Sequence, residues 1–280
     1  MTATELLLPT PPQYRFLATV RSHGWYRLAP YHWDDLTLRY QFTTPGGKRA
    51  EVALSEGENT IRAQVKAPKK TDLAEVESAL RWMLRLDDDL SRFYALCKKE
   101  PMLRHIPKAG GGRLLRSASI WEDVVKVITT TNTAWSGTIR MCRNLVEHWG
   151  PTFPSAETLA DVTIESLTEK GGLGYRAAYI HQLAQAVASG QLDLEGLRES
   201  NMETPELYKF LRQLKGIGDY AAATLLMLLG HYNTVPVDSI ARDTVSRYFF
   251  DGEPVTPVQI RDTFARFEDY AALAYYCWKY

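Results

Sequence analysis

The sequence predicts an α+β chain that is mainly helical. An N-terminal antiparallel β-sheet domain with a linking helix is expected over residues 1–84, and an all-α domain over residues 85–280. Three observations predict this. Up to about residue 70, short segments alternate apolar and polar side chains and are rich in β-branched and aromatic residues, as half-buried strands are. From Thr71 the apolar residues recur at i, i+3 and i+4, the period of an amphipathic helix. No fixed-period repeat and no low-complexity segment interrupts the order of strands then helices.

The elements follow in order. "RFLATV" and "LTLRYQFTT" read as strands, "TPGGK" as a turn, and "RAEVAL" and "NTIRAQVK" as two further strands. Their alternation predicts a sheet with one wet face. "TDLAEVESALRWMLRL" opens on a capping threonine and continues as a helix. "DLSRFYALCKKE" reads as another helix, and "GGGRLLR" as a basic loop. "SIWEDVVKVITTTNTAWSGTIRMCRNLVEHWG" reads as two helices broken near "TTTNTAWS". "SAETLADV" and "TIESLTEKG" are short capped helices. "YRAAYIHQLAQAVASG", "TPELYKFLRQL", "YAAATLLMLLG", "DSIARDTVSRYF", "TPVQIRDTFARF" and "DYAALAYYCWKY" complete the helical part.

The totals exclude several classes. At 280 residues the chain is one large domain or two modest ones, with 45% hydrophobic and 24% charged residues. No apolar run approaches the roughly 18 residues that span a membrane. The start "MTATELLLPT" has neither a basic region nor a long apolar stretch, so a cytosolic protein is expected. Cys97, Cys142 and Cys277 are too few and too far apart for a disulfide framework or a four-cysteine metal site. The six histidines show no metal-ligand spacing, and no catalytic metal is expected. A monomer is the default expectation. Thirty-three basic residues balance 33 acidic ones, which by itself argues against nucleic acid. The distribution argues otherwise. Lys98, Lys99, Arg104, Lys108, Arg113 and Arg116 stand against Glu100 alone, a local surface able to bind phosphates. A solvated linker is the alternative.

Two features carry chemistry. In "LKGIGDYAAATLLMLLG", Gly216 and Gly218 flank Ile217 between two helices. Both glycines can take positive φ, and Ile217 can pin the turn to the core. The outward N–H groups then suit a phosphate oxygen, and the carbonyls of the same turn a monovalent cation. An ordinary αα-hairpin turn is the competing reading. Twenty residues after Gly218, "VPVDSIARD" places Asp238 at a helix N-cap. Most such aspartates are only caps. An anion is favoured there, however, and can stabilise a developing positive charge.

These two segments together resemble the helix–hairpin–helix, Gly/Pro-rich loop and aspartate signature of the helix–hairpin–helix (HhH-GPD) DNA glycosylases. Upstream, "GGRLLRSASIWEDVVKVITTTNTAWSGTIRMCRNLVEHWG" and "FPSAETLADV…GGLGYRAAYI" are similar to segments of 8-oxoguanine DNA glycosylase. The order of sheet then helices matches that enzyme and bacterial 3-methyladenine DNA glycosylase II. The resemblance covers about residues 85–280 and implies roles. Asp238 matches the catalytic aspartate. Leu214–Asp219, with Lys215, Gly216, Ile217 and Gly218, matches the phosphate-binding hairpin. Asn132 falls where the family fills the gap left by a flipped base. Tyr175 falls at a wedge beside the orphan base, and Arg176 at an arginine reading that base. Gly24 falls where the 8-oxoguanine enzyme has a glycine touching its base. Gly137 replaces a second orphan-base arginine, which puts cytosine-specific recognition in doubt.

The bifunctional members carry a Schiff-base lysine where this chain has Tyr220, and tyrosine cannot form an imine. The resemblance therefore implies a monofunctional glycosylase that leaves an abasic site in double-stranded DNA and needs no cofactor. Such an enzyme works in the bacterial cytoplasm at the nucleoid, or in a nucleus. Alkylated purines such as 3-methyladenine lead as substrates. An oxidised-guanine glycosylase without lyase activity, and a non-catalytic DNA-structure binder, remain open. Aromatic candidates for a base pocket are Trp25, Tyr26, Trp135, Tyr220, Tyr276 and Trp278, with core packing the default reading of each.

Overall fold

The structure is a computed structural model, and it describes residues 1–278. Five strands form one antiparallel sheet: β1 (Thr2–Pro9), β2 (His32–Asp34), β3 (Thr37–Thr43), β4 (Arg49–Glu56) and β5 (Thr60–Ala67). The helices in chain order are α1 (Phe16–Val20), α2 (Leu73–Leu84), α3 (Ser91–Lys99), α4 (Ile106–Ala109), α5 (Ile120–Thr130), α6 (Trp135–Trp149) and α7 (Ala156–Ala160). They continue with α8 (Ile164–Glu169), α9 (Arg176–Ala188), α10 (Thr204–Gln213), α11 (Asp219–Leu229), α12 (Ser239–Phe249), α13 (Pro257–Phe264) and α14 (Ala271–Trp278). Among the described residues no helix is long and apolar enough to cross a membrane.

The chain forms two compact units, each made of two segments. One comprises Met1–Asp88 and Arg113–Leu197, the other Asp89–Gly112 and the chain from Arg198 onward. This division differs from the boundary expected at 84/85. The sheet does not stand alone, because it shares a core with α5 of the later sequence.

In the first unit the strands run in the order β1-β5-β4-β3-β2. Alternate residues point inward: Leu38, Tyr40 and Phe42 on β3, Ala50, Val52 and Leu54 on β4, and Ile61, Ala63 and Val65 on β5. Their neighbours stay wet, as the alternation predicts. Two expectations fail here. "RFLATV" is helix α1, not a strand, since Phe16, Thr19 and Val20 share one buried face at helical spacing. Six residues are too few for periodicity to decide. Conversely the N-terminal "TATELLLP", not expected in the sheet, is β1 and pairs with β5 from Thr2↔Ala67 to Pro9↔Thr60. The cap of α2 is Asp72 rather than Thr71, its carboxylate accepting from the Ala74 N–H at 2.9 Å.

A buried polar network fastens the sheet to α5. Lys126 is fully buried; its ammonium donates to Glu122 at 2.6 Å and to Ser117 Oγ at 3.2 Å. It also lies 4.6 Å from the centre of the Tyr31 ring. Glu122 accepts the Tyr40 hydroxyl from β3 at 2.6 Å. Burial pushes the Glu122 carboxyl up, and Lys126 pulls it back. Every charge here has a partner, the condition for burying one at all.

In the second unit α11 is the centre. Ala221, Ala222, Ala223, Leu225, Leu226, Met227 and Leu228 are all buried, so the helix is apolar on nearly every side. Small alanines let neighbouring backbone approach. Gly230 ends the helix in the left-handed region at φ 100°. Phe249, Phe264, Phe267, Tyr275 and Trp278 form an aromatic cluster. Arg266 lies over Phe249, Phe267 and Trp278 and pairs with Glu100 at 2.9 Å.

Candidate functional site

The second unit holds the hairpin and the aspartate. α10 ends at Gln213 and α11 starts at Asp219. Gly216 takes φ +84°, a left-handed conformation that favours glycine. Gly218, expected to share it, does not: it is extended at φ −86° and ψ −176° and caps α11. A Cβ on Gly218 would meet nothing within 4 Å, so neither strain nor crowding within the chain demands glycine there. Ile217 is buried and anchors the turn, as expected, while Lys215 and Gly218 are exposed. Arg212 reaches across, donating from Nη1 to the Ile217 carbonyl at 2.6 Å and from Nε to Asp219 Oδ1 at 2.8 Å. The Tyr208 hydroxyl donates to the same Asp219 oxygen at 2.9 Å.

Asp238 caps α12. Its Oδ1 accepts from the Ala241 N–H at 2.6 Å and from the Tyr275 hydroxyl at 3.5 Å. The carboxylate is half-buried, and the N-cap backbone is extended. Using one oxygen for the cap leaves Oδ2 available for chemistry. Tyr220 is the second residue of α11 and half-buried, and Tyr276 lies half-buried on α14. Trp278 belongs to the aromatic cluster and is core.

The first unit assembles two further groups. In one, Asn132 takes the left-handed region at φ +46°, which asparagine tolerates. Its Nδ2 donates to the Tyr175 hydroxyl at 3.2 Å. Tyr175 is 52% exposed, a large aromatic ring held out in solvent. The Thr131 hydroxyl bond, foremost, holds the Tyr175 phenol below its usual range. Arg176 was expected to reach a base, but it is buried. It stacks 4.6 Å from the centre of the Tyr175 ring and donates to the Thr131 and Leu173 carbonyls. It braces the loop that carries Asn132. Gly137 is buried in α6, where a Cβ would lie 2.4 Å from Thr133 Oγ1.

In the other group, Gly24 at φ +92° packs against Trp135, where a Cβ would come within 2.8 Å of the indole. The rings of Trp25 and Trp135 lie near-parallel at 6.5 Å, and His23 covers Trp25 at 4.4 Å. Trp25 is buried, while Trp135 is half-buried. The Trp25 indole donates to Asp123 Oδ1 at 2.7 Å, and the Ser117 N–H donates to the same atom at 3.0 Å. Burial raises the Asp123 carboxyl, and these donors oppose the rise. Tyr26 instead meets Trp33 edge-on at 6.3 Å, away from this stack.

Arg113 is a correction. Expected on an exposed basic loop, it is buried, donating to the Arg85 and Asp88 carbonyls and lying 5.6 Å from the centre of the Tyr14 ring. Arg116 is likewise buried against Trp82. The residues of the basic run that do face solvent are Lys98, Lys99, Arg104 and Lys108. Sequence reasoning missed Asp123, Arg212 and Tyr275. The charges within the apolar "SIWEDVVKVITT" were a usable signal, since Glu122 and Lys126 stand at i, i+4. For Tyr275 no local pattern exists. Among the described residues no cluster of His, Cys, Asp and Glu could hold a metal ion.

Comparison with known proteins adds to this geometry. The model of the HhH-GPD superfamily base excision DNA repair proteins matches residues 125–268, the stretch that includes both the hairpin and Asp238. DNA-3-methyladenine glycosylase of Bacillus subtilis is 27% identical over 168 residues, 55% of this chain and 54% of that protein. N-glycosylase/DNA lyase of Saccharomyces cerevisiae is 22% identical over 239 residues, 74% of this chain and 61% of that protein. The chain thus spans little more than half the length of the curated relatives it matches. The solved 3-methyladenine DNA-glycosylase of Archaeoglobus fulgidus has the same fold. Its TM-score is 0.80 at 22% identity, with 98% of each chain covered.

Proposed function

As this chain belongs to the HhH-GPD superfamily of base excision DNA repair proteins, we propose that it is a monofunctional DNA glycosylase acting on alkylated purines such as 3-methyladenine. The observation that carries this reading is Asp238, which spends one carboxylate oxygen on capping α12. The first turn of α11 adds support: it reads Asp219-Tyr220-Ala221-Ala222 and offers no amine. The name of the Bacillus subtilis relative favours the alkylated base.

The chemistry follows from charge. A base inside a duplex shields its sugar carbon, so it must leave the stack first. The exposed hairpin amides hold the phosphodiester backbone. Asn132 and the solvent-held Tyr175 ring fill and wedge the gap. As the C1′–N bond breaks, its electron pair leaves with the base and positive charge builds on the sugar. Asp238 stabilises that cation and orients the water that adds to C1′. The water's proton is lost, and an abasic site remains. An alkylated purine already carries positive charge, leaves without a general acid, and is attracted to an electron-rich ring such as Trp135. The working partner is double-stranded DNA bearing one such base, bound by a monomer.

A panel of duplexes tests this, each carrying 3-methyladenine's stable analogue, hypoxanthine, uracil or 8-oxoguanine, with and without hot alkali and with borohydride. The expected result is a cut at the alkylated base only after alkali. A cut without alkali, plus a borohydride-trapped adduct, would mean that a lysine supplies the amine. Release of 8-oxoguanine alone would move the substrate. Asp238→Asn should lose at least about a hundredfold in turnover, the scale of one transition-state electrostatic contact, with duplex affinity kept. A variant as active as wild type would remove Asp238 from the chemistry.

A further inference from the structure

The turn between α10 and α11 was expected to offer carbonyl oxygens to a monovalent cation. Its residues do not fit that group. Such an ion needs several carbonyl oxygens converging with free lone pairs, and no competing positive charge beside them. Here the Ile217 carbonyl takes the Arg212 Nη1 donor at 2.6 Å, and the Leu214 carbonyl takes the Ile217 N–H at 3.1 Å. A guanidinium that close to the Ile217 oxygen stands within a few ångströms of any ion bound to the same oxygen. Like charges at that range repel.

We propose that the Arg212 guanidinium is the hairpin's built-in cation: it closes the turn and supplies the positive charge that a bound K⁺ or Na⁺ would bring. The geometry suits a guanidinium fork. Arg212 lies in the last turn of α10, and its Nη1 reaches the Ile217 carbonyl while its Nε holds the Asp219 carboxylate of α11. The Tyr208 hydroxyl, one turn earlier on α10, donates to the same Asp219 oxygen and fixes where the carboxylate points. One planar group therefore spans both ends of the turn, which a point-charge ammonium cannot do. The guanidinium is covalently part of the chain, so this charge is not lost by dilution as a bound ion is. Arg212 remains 40% exposed, and Lys215 and the uncrowded Gly218 are exposed on the same turn.

The inference concerns the hairpin used in the proposed function, but its first test needs no DNA. Amide hydrogen exchange at Ile217–Tyr220 would be followed in potassium chloride and in tetramethylammonium chloride at equal ionic strength. Wild-type rates should agree within about twofold between the salts. Arg212→Ala should exchange faster and be slowed again by K⁺ but not by tetramethylammonium. Arg212→Lys keeps the charge without the fork and should exchange faster in both salts, because its ammonium still repels the added ion. A wild-type hairpin that exchanges tenfold more slowly in K⁺ overturns the proposal. So does an Arg212→Ala hairpin that exchanges faster in both salts alike, because Arg212 is then a brace with no metal equivalent. The second test titrates a fluorescent duplex containing an abasic-site analogue in the same two salts. Wild-type affinity should agree within about twofold, and a tenfold loss in tetramethylammonium overturns the proposal. A protein that binds the duplex in neither salt contradicts the DNA-repair reading instead, and the exchange rates alone then decide the role of Arg212.

Discussion

Two charged stretches of this chain meet opposite fates. Between Arg113 and Lys126 the protein buries Arg113, Arg116, Glu122, Asp123 and Lys126. Between Arg212 and Asp219 it leaves Arg212, Lys215 and Asp219 in solvent around a turn whose buried side chain is Ile217. The buried charges are matched by carbonyls, hydroxyls and one another, and they join helix α5 to strand β3. The exposed charges frame backbone that faces outward. Charge density in a sequence therefore marks two different uses. Fully partnered inside, it fixes the fold; at the surface, Arg212 and Asp219 pair across a turn and Lys215 stays in solvent.

Substitutions on the two sides should separate stability from binding. The largest effect belongs to the buried pair. Glu122→Ala leaves the Lys126 ammonium and the Tyr40 hydroxyl without their carboxylate, and unfolding in urea should show a loss of about 3–5 kcal/mol. A loss under about 1 kcal/mol would mean that the network is not the fastening described. The hairpin sharpens the contrast within a single turn. Gly216→Ala forces a side chain into φ +84° and should cost about 1 kcal/mol or more. Gly218→Ala sits in extended backbone with open space around it and should change stability by less than about 0.5 kcal/mol. On the proposed reading its duplex affinity should nevertheless fall several-fold, because the added methyl would stand where a phosphate approaches. Equal affinity in Gly218→Ala and wild type would move the DNA contact elsewhere.

The smallest effect reports on the buried side. Cys142 lies against the Lys126 network, 3.6 Å from Thr129 Oγ1, and burial pushes its thiol up to about 11. The folded state thus keeps a proton that the unfolded chain loses above about pH 8.5. Its contribution leaves stability unchanged below that pH and lowers it progressively as pH rises towards about 11. Urea unfolding at pH 7 and pH 10 measures the slope, which should be shallower in Cys142→Ala. A thiol reagent at pH 8 should label Cys142 only after denaturant is added. Rapid labelling of the folded protein would show that this interior is open.

Much of the site was legible because its signals are local. A glycine pair one residue apart between two helical periods marks a turn, and an aspartate before a helical period marks a cap. The helical breaks near Asn132 and before Tyr175 were visible for the same reason, and the structure brings those two side chains into contact. "RFLATV" was not legible, since six residues satisfy a strand and a helix alike until the buried face of Phe16, Thr19 and Val20 chooses.

The sequence by itself determined the order of sheet then helices, the hairpin and the capping aspartate. Each rests on neighbours a few residues apart, where backbone sterics and hydrogen-bond reach act directly. Only the tertiary structure decided which charges are buried, that the N-terminal strand closes the sheet beside β5, and that Arg113 and Arg176 brace loops. It also decided that Arg212 reaches the Ile217 carbonyl. Exposure and partnership depend on what else packs against a side chain. That is a property of residues distant in sequence, and no local pattern records it.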